Sequence, residues 1–399
     1  MYLTESILVS KTNLLSKLCH YAKNLYNLAN WYYRQDFFHL SNLLSYYDLD
    51  FIIKYKEAYR NLPSQTSQQI LKVVIRAWKS YFNALREYKK SPSKFQHVPK
   101  FPKYKKKNGE FLVVFSNQQC RIKEGYLYFP KSVKLDPIKT RIEGKIKEVR
   151  IVPLGLKYKV EIVYEKLEQN LELNRGNILS IDLGLNNLIT AVNNKGLPPF
   201  IIKGKILKSI NHYYNKQLAQ YRSIEYKKNN FSETKRIRKL HLTRNNKVNT
   251  IFHRISKQIV KYCKENDIGT IVIGYNEQWK QSIQLGKKTN QQFVQIPFSK
   301  LIHQLEYKGK LIGMNTLLQE ESYTSKCSFL DNESIEKQVK YKGKRISRGL
   351  FKTSNGIIIN ADVNASYNIL KKAFPKSIFI EDGIKDAGLH PLLFNFAKV

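Results

Sequence analysis

Cysteines are scarce in this sequence, and long apolar runs are absent. The 399 residues include four cysteines, Cys19, Cys120, Cys263 and Cys327, without the paired spacing of a disulfide framework or of a zinc site built from cysteines alone. No apolar run approaches the ~20 residues of a membrane span. Residues 1–5 lack the basic start and apolar core of a signal peptide. We therefore expect no disulfide framework, no membrane partner and no export.

Acidic residues are also few compared with basic ones. The chain has 31 Asp and Glu against 69 Lys and Arg, which gives a formal net charge of +38. Such an excess indicates a polyanionic partner, and nucleic acid is the obvious one. The 26 Tyr and 20 Phe suit both a folded core and stacking on unpaired bases. The length and the 42% of hydrophobic residues fit a folded protein of two or three domains.

The first half of the chain changes from helical to β-rich patterns. Residues 3–9 predict a short strand, and apolar residues then recur three and four positions apart between about 14 and 88. The Lys- and Pro-rich residues 89–110 are either a phosphate-binding loop or a solvated linker. From residue 111 to 166, short alternating segments separated by turns predict a small antiparallel β-barrel.

The second half has an α/β order. The predicted elements are paired strands within residues 178–192, two basic helices within 205–266, a buried parallel strand at 269–274, a helix at 298–313, a strand at 314–318 and a last helix from Asp362. Residues 322–360, before the last helix, form a polar and basic insertion. This order is typical of an α/β domain.

Two aspartates stand at the ends of predicted elements. Asp182 interrupts an apolar strand in which no Lys or Arg can pair with it, and an unpaired buried carboxylate is costly. It either caps the strand end or binds a divalent cation. Asp362 either caps the last helix or binds the same cation. A site for two cations about 3.5–4 Å apart would require such distant carboxylates to converge.

The residues around these aspartates resemble motifs of a known family. Ile181-Asp182-Leu183-Gly184-Leu185-Asn186-Asn187-Leu188 is similar to the first catalytic motif of RuvC-type nucleases, and Asn360-Ala361-Asp362-Val363-Asn364-Ala365 is similar to the third. More narrowly, both resemble the TnpB family, the transposon-encoded RNA-guided DNA nucleases related to type V Cas effectors. Residues 62–66 and 117–119 also look like segments of that family, so the resemblance covers nearly the whole chain.

The resemblance implies an architecture and a set of partners. It implies an α/β RNase H-like (RuvC) nuclease domain at 173–399, and a small β-barrel (wedge) domain formed by 1–10 and 96–172, with an inserted helical recognition lobe at 11–95. The insertion at 322–360 belongs to the nuclease domain. The implied partners are a guide RNA and a double-stranded DNA target with a short recognition motif. The implied cofactors are two Mg²⁺ or Mn²⁺ ions, and the implied location is the prokaryotic cytoplasm, at the nucleoid.

The third carboxylate of the family is not at its usual position. TnpB proteins usually place a Glu at the end of the strand that here ends at Gly274. Glu320 and Glu321 end the next predicted strand, and because adjacent strands are ~4.8 Å apart, one of them could reach the metals. Adjacent strand residues face opposite sides, so at most one of the pair binds metal, and the sequence leaves open which one. Glu277 is a further alternative, although it also fits a solvated surface residue.

The predicted site residues follow from these arguments. The predicted catalytic and metal-binding residues are Asp182, Glu320, Glu321 and Asp362. The predicted nucleic-acid-binding residues are Arg76, Lys79, Lys103, Lys105, Lys106, Lys247, Arg254, Lys257, Lys344, Arg345 and Arg348. Family members often have two cysteine pairs in the insertion, whereas here only Cys327 remains. We therefore predict no structural zinc and expect packing of Phe329, Leu350 and Phe351 to hold the insertion.

Two other functions are weighed against the RNA-guided nuclease. Gly274 also fits a nuclease-inactive relative that carries a guide RNA and occupies DNA as a repressor. A DNA transposase of the RNase H class would use similar carboxylates. The long basic N-terminal part and the specific motifs favour the RNA-guided nuclease over this transposase.

Overall fold

The computed structural model of the protein describes residues 1–40, 43–229, 233–276, 286–376, 388 and 390–394. The chain divides into two units, Met1–Lys166 and Leu167–Val399. No described helix combines the length and the apolar character that crossing a lipid bilayer requires.

The strands of the first unit form antiparallel sheets. They are β1 (Tyr2–Ser10), β2 (Val113–Ser116), β3 (Arg121–Lys123), β4 (Tyr126–Tyr128), β5 (Ile138–Lys139), β6 (Ile146–Pro153) and β7 (Lys157–Glu165). The described residues form one sheet in the order β1-β7-β6-β2 and a second in the order β3-β4-β5. The predicted strand at 3–9 is confirmed, and it pairs along its whole length with β7. The β-barrel stays a prediction.

Helices of the first unit lie in sequence between β1 and β2. They are α1 (Asn13–Gln35), α2 (Tyr46–Ile53), α3 (Glu57–Arg60) and α4 (Ser64–Lys90), and a π-helical turn (Asp36–Leu40) follows α1. Short 3₁₀ turns cover Pro92–Lys94 and Lys131–Val133. The hydroxyl of Thr12 caps α1 by accepting from the amide of Leu15. The buried Trp78 of α4 donates to Asn30 of α1 at 2.9 Å, which ties the two long helices together.

The second unit contains one large mixed sheet and one small sheet. Its strands are β8 (Ile178–Leu183), β9 (Asn187–Asn193), β10 (Phe200–Lys203), β11 (Thr270–Gly274), β12 (Asn315–Gln319), β13 (Lys344–Ser347), β14 (Leu350–Lys352), β15 (Ile358–Asn360) and β16 (Leu392–Leu393). In the described residues the large sheet has the order β12-β11-β8-β9-β10-β16, and the small one β13-β14-β15. β8, β9 and β10 are antiparallel neighbours, whereas β11 is parallel to both β8 and β12.

Helices cover both faces of the large sheet. The helices of this unit are α5 (Lys205–Lys227), α6 (Lys235–Glu265), α7 (Lys287–Val294), α8 (Phe298–Lys310) and α9 (Ala361–Ala373). Leu179 and Ile181 of β8 share a core with α6 and α8, whereas Ile178 packs with Tyr367 of α9 on the other face. Because both faces are covered, the central strands are nearly continuous apolar runs. This mixed α/β arrangement is consistent with the RuvC-like prediction.

The predicted elements of the second unit are present within a few residues. The two basic helices are α5 and α6, the next helix is α8, and the strand after it is β12. The predicted break between α5 and α6 includes residues 230–232, which lie outside the described residues. The insertion contains β13, β14 and β15, which its polar sequence does not predict.

Candidate active site

Asp182 lies near the end of β8, on the face of the sheet that α9 covers. Alternation along the strand places it on the same side as Ile178, which packs against α9. Its side chain is partly buried. Burial, and then the charges of Asp362 and Glu321, raise the pKa of Asp182 well above the usual range of an aspartate. Carboxylates from three separate parts of the chain therefore act on one another here.

Two serines fix α9 against β8. The Ser180 hydroxyl donates to the Ser366 carbonyl at 2.8 Å, and the Ser366 hydroxyl donates to the Ser180 carbonyl at 3.1 Å. Ser180 precedes Asp182 by two residues, and Ser366 follows Asp362 by about one helical turn. These bonds therefore set the register that brings the two aspartates to the same end of the sheet.

Asp362 is in the first turn of α9, but it is not the helix cap. Asn360 is the N-cap, and its side chain accepts from the amides of Asp362 at 3.0 Å and Val363 at 3.2 Å. The capping alternative for Asp362 is therefore wrong. Its own carboxylate accepts from Asn187 Nδ2 at 2.7 Å and from an Arg345 guanidinium nitrogen at 3.0 Å.

A tight turn between β8 and β9 positions Asn187. The amide of Gly184 donates to the carbonyl of Leu188 at 3.3 Å. A Cβ added at Gly184 would lie 2.6 Å from the carbonyl oxygen of Asn187, which is closer than side chains allow. Glycine at this position therefore permits the close approach that places Asn187 beside Asp362.

Glu321 follows β12 and belongs to the same cluster. Its amide donates to Asn276 Oδ1 at 3.1 Å, and Asn276 Nδ2 approaches Glu321 Oε1 at 3.4 Å. Burial, and then the charge of Glu320, raise the pKa of Glu321 to about 7. Glu321 also contributes to the raised pKa of Asp182, which indicates that the two carboxylates are close enough to repel each other.

Glu320 has different partners from Glu321. Its carboxylate pairs with Lys372 at 2.5 Å and accepts from the amide of Ser322 at 2.8 Å. About half of its side chain is exposed (53%). Of the adjacent pair, Glu321 is thus the residue that the structure brings together with Asp182 and Asp362. Glu277 lies outside the described residues.

Gly274 occupies the position where the resemblance leads us to expect a glutamate. β11 and β8 pair in register up to Ile273 and Ile181, so Gly274 comes next to Asp182. A Cβ added at Gly274 would lie 2.5 Å from Ile369 Cδ1 and 2.8 Å from Glu321 Oε2. A side chain at 274 and the observed position of Glu321 therefore exclude each other.

The donor atoms of this cluster fit a divalent cation. Asp182, Glu321 and Asp362 supply carboxylate oxygens, the ligands that Mg²⁺ and Mn²⁺ prefer. A cation would also relieve the repulsion that raises the pKa of Asp182. Within the described part of the chain, no three His, Cys, Asp or Glu side chains are gathered closely enough to form a metal site as they stand. The three carboxylates therefore fit a divalent cation by the type of their donor atoms and by their negative charge.

Comparison with known proteins adds independent information. The OrfB_IS605 family model, described as a probable transposase, matches residues 161–280, and the Cas12f1-like TNB domain model matches residues 298–369. The TnpB-like protein ORF457 of Acidianus two-tailed virus is 25% identical over 397 residues, which cover 90% of this chain and 83% of that protein. The chain is similar to TnpB-family proteins and to type V Cas effectors.

Two solved structures resemble this chain in fold. A cryo-EM structure of a Cas12f1–sgRNA–target DNA complex gives a TM-score of 0.53 at 15% identity, over 89% of this chain and 82% of that one. A mini-RNA-guided endonuclease, CRISPR-Cas_phi3, gives 0.51 at 10% identity, over 94% and 92%. At these identities the likeness concerns the fold alone.

Most of the predicted nucleic-acid-binding residues are exposed. The exposed ones are Arg76, Lys79, Lys103, Lys106, Lys247, Arg254, Lys257, Lys344, Arg345 and Arg348. Lys105 is only partly exposed, because its ammonium lies over the rings of Tyr26 at 4.7 Å and Phe111 at 4.9 Å. Arg345 is directed at Asp362, a contact that the sequence does not reveal. Nucleic-acid binding by these residues stays a prediction.

The insertion at 322–360 is held by packing and by buried polar contacts. Phe351 is buried, Leu350 is partly buried, and Phe329 stacks on Tyr367 of α9 with ring centroids 4.7 Å apart. Cys327 is a buried free thiol that donates to the carbonyl of Ser334 at 3.4 Å. The prediction that no zinc is bound stays a prediction.

Sequence reasoning missed a buried carboxylate in this insertion. Glu333 is buried, and it accepts the backbone amides of Ser328 at 2.7 Å and Lys342 at 2.8 Å. The two bonds tie together loops that are fourteen residues apart in sequence. A signal was present, because Asp331 and Glu333 are two acids close together in a mainly basic segment.

Gly274→Ala is expected to destabilise the protein by about 1–3 kcal/mol, because the new methyl group crowds Ile369 and Glu321. Urea unfolding measures this difference. Gly349→Ala is the matched control, since a Cβ at Gly349 meets nothing within 4 Å. Equal stability losses in the two variants would contradict the crowding at Gly274.

Proposed function

We propose that this chain is a TnpB-family protein and an RNA-guided, divalent-metal-dependent DNA endonuclease, encoded by a transposon, that cleaves target DNA beside a short recognition motif. The observation that carries the proposal is that Glu321 and Asp362 lie near enough to Asp182 for their charges to raise its pKa, with Glu321 beside Gly274 and Gly274 next to Asp182. The similarity to TnpB-family proteins supports the same activity.

Two carboxylates of the proposed site, those of Asp362 and Glu321, have side-chain partners that orient them. Asp182, Glu321 and Asp362 would hold two Mg²⁺ or Mn²⁺ ions, which when bound supply charge stabilisation for phosphodiester hydrolysis. Asn187 and Arg345 orient Asp362. Asn276 orients Glu321. We assign no metal to Glu320, because Lys372 already pairs with it.

The proposal also assigns domains to parts of the chain. Residues 1–10 and 96–172 form the wedge domain, 11–95 the recognition lobe and 173–399 the nuclease domain. The guide RNA and the double-stranded target DNA are the partners. Exposed lysines and arginines, among them Lys344 and Arg348 of the insertion, supply phosphate contacts.

A nuclease-inactive DNA-binding protein is the alternative. Gly274 favours it, because the family's usual glutamate is missing from that position. Glu321 counts against the inactive binder, because its carboxylate occupies the space in front of Gly274. The charge of Glu321 therefore acts on Asp182 in place of the charge of the missing glutamate.

A plasmid cleavage assay tests the proposal. The protein is combined with the RNA encoded beside its gene, carrying a segment that matches the plasmid target, in Mg²⁺ or Mn²⁺. We expect cleavage of the matched plasmid only. An RNA with a mismatched segment, and EDTA with the matched RNA, are the controls. Target binding without cleavage in either metal would favour the inactive binder, and strand-transfer products would favour a transposase.

A further inference from the structure

Residues 100–110, here called the basic strap, run along α1 without helix or strand and include a turn at 107–108. Sequence alone left this segment open between a phosphate-binding loop and a solvated linker. The contacts of its backbone decide against a free linker, because polar side chains of α1 bind it at several points.

These α1 side chains form a regular row. His20, Lys23, Asn27, Asn30 and Arg34 are three or four residues apart, so they lie on one side of the helix. Their contacts with strap carbonyls are His20 Nδ1 to Gly109 at 3.3 Å, Lys23 to Lys107 at 2.5 Å, Asn27 to Lys105 at 2.9 Å, and Asn30 and Arg34 to Pro102 at 3.2 and 3.3 Å. Asn27 also accepts the amide of Lys105 at 2.8 Å.

Both ends of the basic strap are fixed as well. At one end, the guanidinium of Arg34 lies 4.5 Å from the ring centroid of Phe101. At the other end, the carboxylate of Glu110 accepts from Lys11 at 2.8 Å, Ser16 at 2.6 Å and Tyr158 at 2.8 Å. The strap is therefore ordered along its length before any partner binds.

Fixing the backbone leaves lysine side chains on the outer side. Lys100, Lys103, Lys106 and Lys107 are exposed. Among the described residues of the first unit, the ion pairs involve other cations. The ring of Tyr104, 45% exposed, lies between these lysines in sequence. Aromatic rings among lysines are typical of surfaces that bind unpaired nucleotides.

Positive charge also accumulates beneath the strap. Lys23 is buried, and its ammonium binds a carbonyl of the strap. Burial, and then the charge of Lys107, lower the pKa of Lys23. A buried ammonium without a carboxylate is costly, and a polyanion on the outer surface offsets part of that cost.

We infer that the basic strap is a preformed binding surface for a nucleic-acid phosphodiester backbone, with Lys103, Lys106 and Lys107 on the phosphates and Asn27 and Asn30 as positioning residues. Order before binding lowers the entropic cost of association. The inference rests on the proposed function only in taking nucleic acid as the partner, and it does not require cleavage.

Binding measured against salt tests the phosphate contacts. The probes are a 30-nucleotide single-stranded RNA and a 30-base-pair DNA duplex of mixed sequence, titrated by fluorescence anisotropy between 50 and 200 mM salt. The triple variant K103A/K106A/K107A is expected to bind at least one probe about tenfold more weakly or worse. Its salt slope is expected to fall by about 2 for the RNA, or by roughly 2.7 for the duplex.

The triple variant K131A/K139A/K157A is the matched control. It removes the same charge from exposed lysines of the first unit outside the strap. The probe on which the strap variant alone loses affinity identifies RNA or DNA as the partner. Equal losses in the two variants, or no loss on either probe, would overturn the inference.

Asn27→Leu tests the positioning role. It removes both bonds to Lys105 and leaves every lysine in place. We expect several-fold weaker binding with an unchanged salt slope, together with faster hydrogen exchange at the Lys105 amide. Faster exchange with wild-type affinity would show that order in the strap does not matter.

The strap inference and the nuclease proposal can fail independently of each other. If the wild-type protein shows guided cleavage but the strap variant binds like the control, the strap inference fails and the nuclease proposal stands. If the strap variant alone loses binding and the wild-type protein never cleaves, the inference stands and the nuclease proposal fails.

Discussion

Glu321→Gln is expected to reduce guided DNA cleavage by several orders of magnitude, whereas Glu320→Gln changes it only a few-fold. Glu321 is the member of the pair that acts on Asp182, and it fills the space in front of Gly274. Loss of a ligand carboxylate removes charge stabilisation that is needed in the transition state. Glu320 is paired with Lys372, so its loss affects local packing and leaves the proposed site intact.

Initial cleavage rates at saturating target DNA measure this difference, with target binding followed in parallel. Both variants are expected to bind guide RNA and target like the wild-type protein. A large loss in Glu320→Gln with activity retained in Glu321→Gln would reverse the assignment. Glu277→Ala is expected to change the cleavage rate little. If Glu277→Ala were the only inactive variant of the three, Glu277 would be the metal-binding glutamate.

Asp182→Asn is expected to abolish cleavage while guide and target binding persist. Burial and two neighbouring carboxylates raise the pKa of Asp182 in the metal-free protein above its value in the unfolded chain, which costs folding free energy at neutral pH. A neutral amide of the same size removes that cost. The metal-free variant is therefore expected to be at least as stable as the wild-type protein, although it is inactive.

Cleavage assays and urea unfolding of the same preparations check both parts of this prediction. Asp136→Asn, which alters an exposed aspartate of the first unit, is the control and should change neither quantity. Asp362→Asn should also be inactive, but it additionally loses its charge pairing with Arg345. Magnesium-dependent cleavage retained by Asp182→Asn would refute the assignment of this residue.

Local sequence patterns predicted two of the three carboxylates of the proposed site. An acid inside an apolar strand and an acid at a helix start are both visible in a window of a few residues, as at Asp182 and Asp362. The choice between Glu320 and Glu321 was not predictable in this way. β12 ends at Gln319, so the two glutamates leave the strand, and their directions depend on contacts with Asn276 and Lys372.

Contacts between distant residues account for most of what sequence reasoning missed. Arg345 and Asp362 are far enough apart in sequence that only the small sheet brings them together. The cap at Asn360 depends on where α9 begins, and that boundary is known only from the backbone.

The basic strap differs from these contacts, because the sequence of α1 indicates that this helix has a hydrogen-bonding partner. Lys23 and Asn30 interrupt the apolar face of that helix at helical spacing, and both are buried. Polar residues in such positions require a hydrogen-bonding partner. The sequence does not identify that partner, since the strap lies about 75 residues further along the chain.

Anomalous diffraction from crystals of the protein grown with Mn²⁺ tests the central claim most directly. The account predicts manganese peaks within coordination distance of Asp182, Glu321 and Asp362, with Glu320 still paired to Lys372. Manganese bound through Glu320, or no manganese at Asp182 and Asp362, would contradict it.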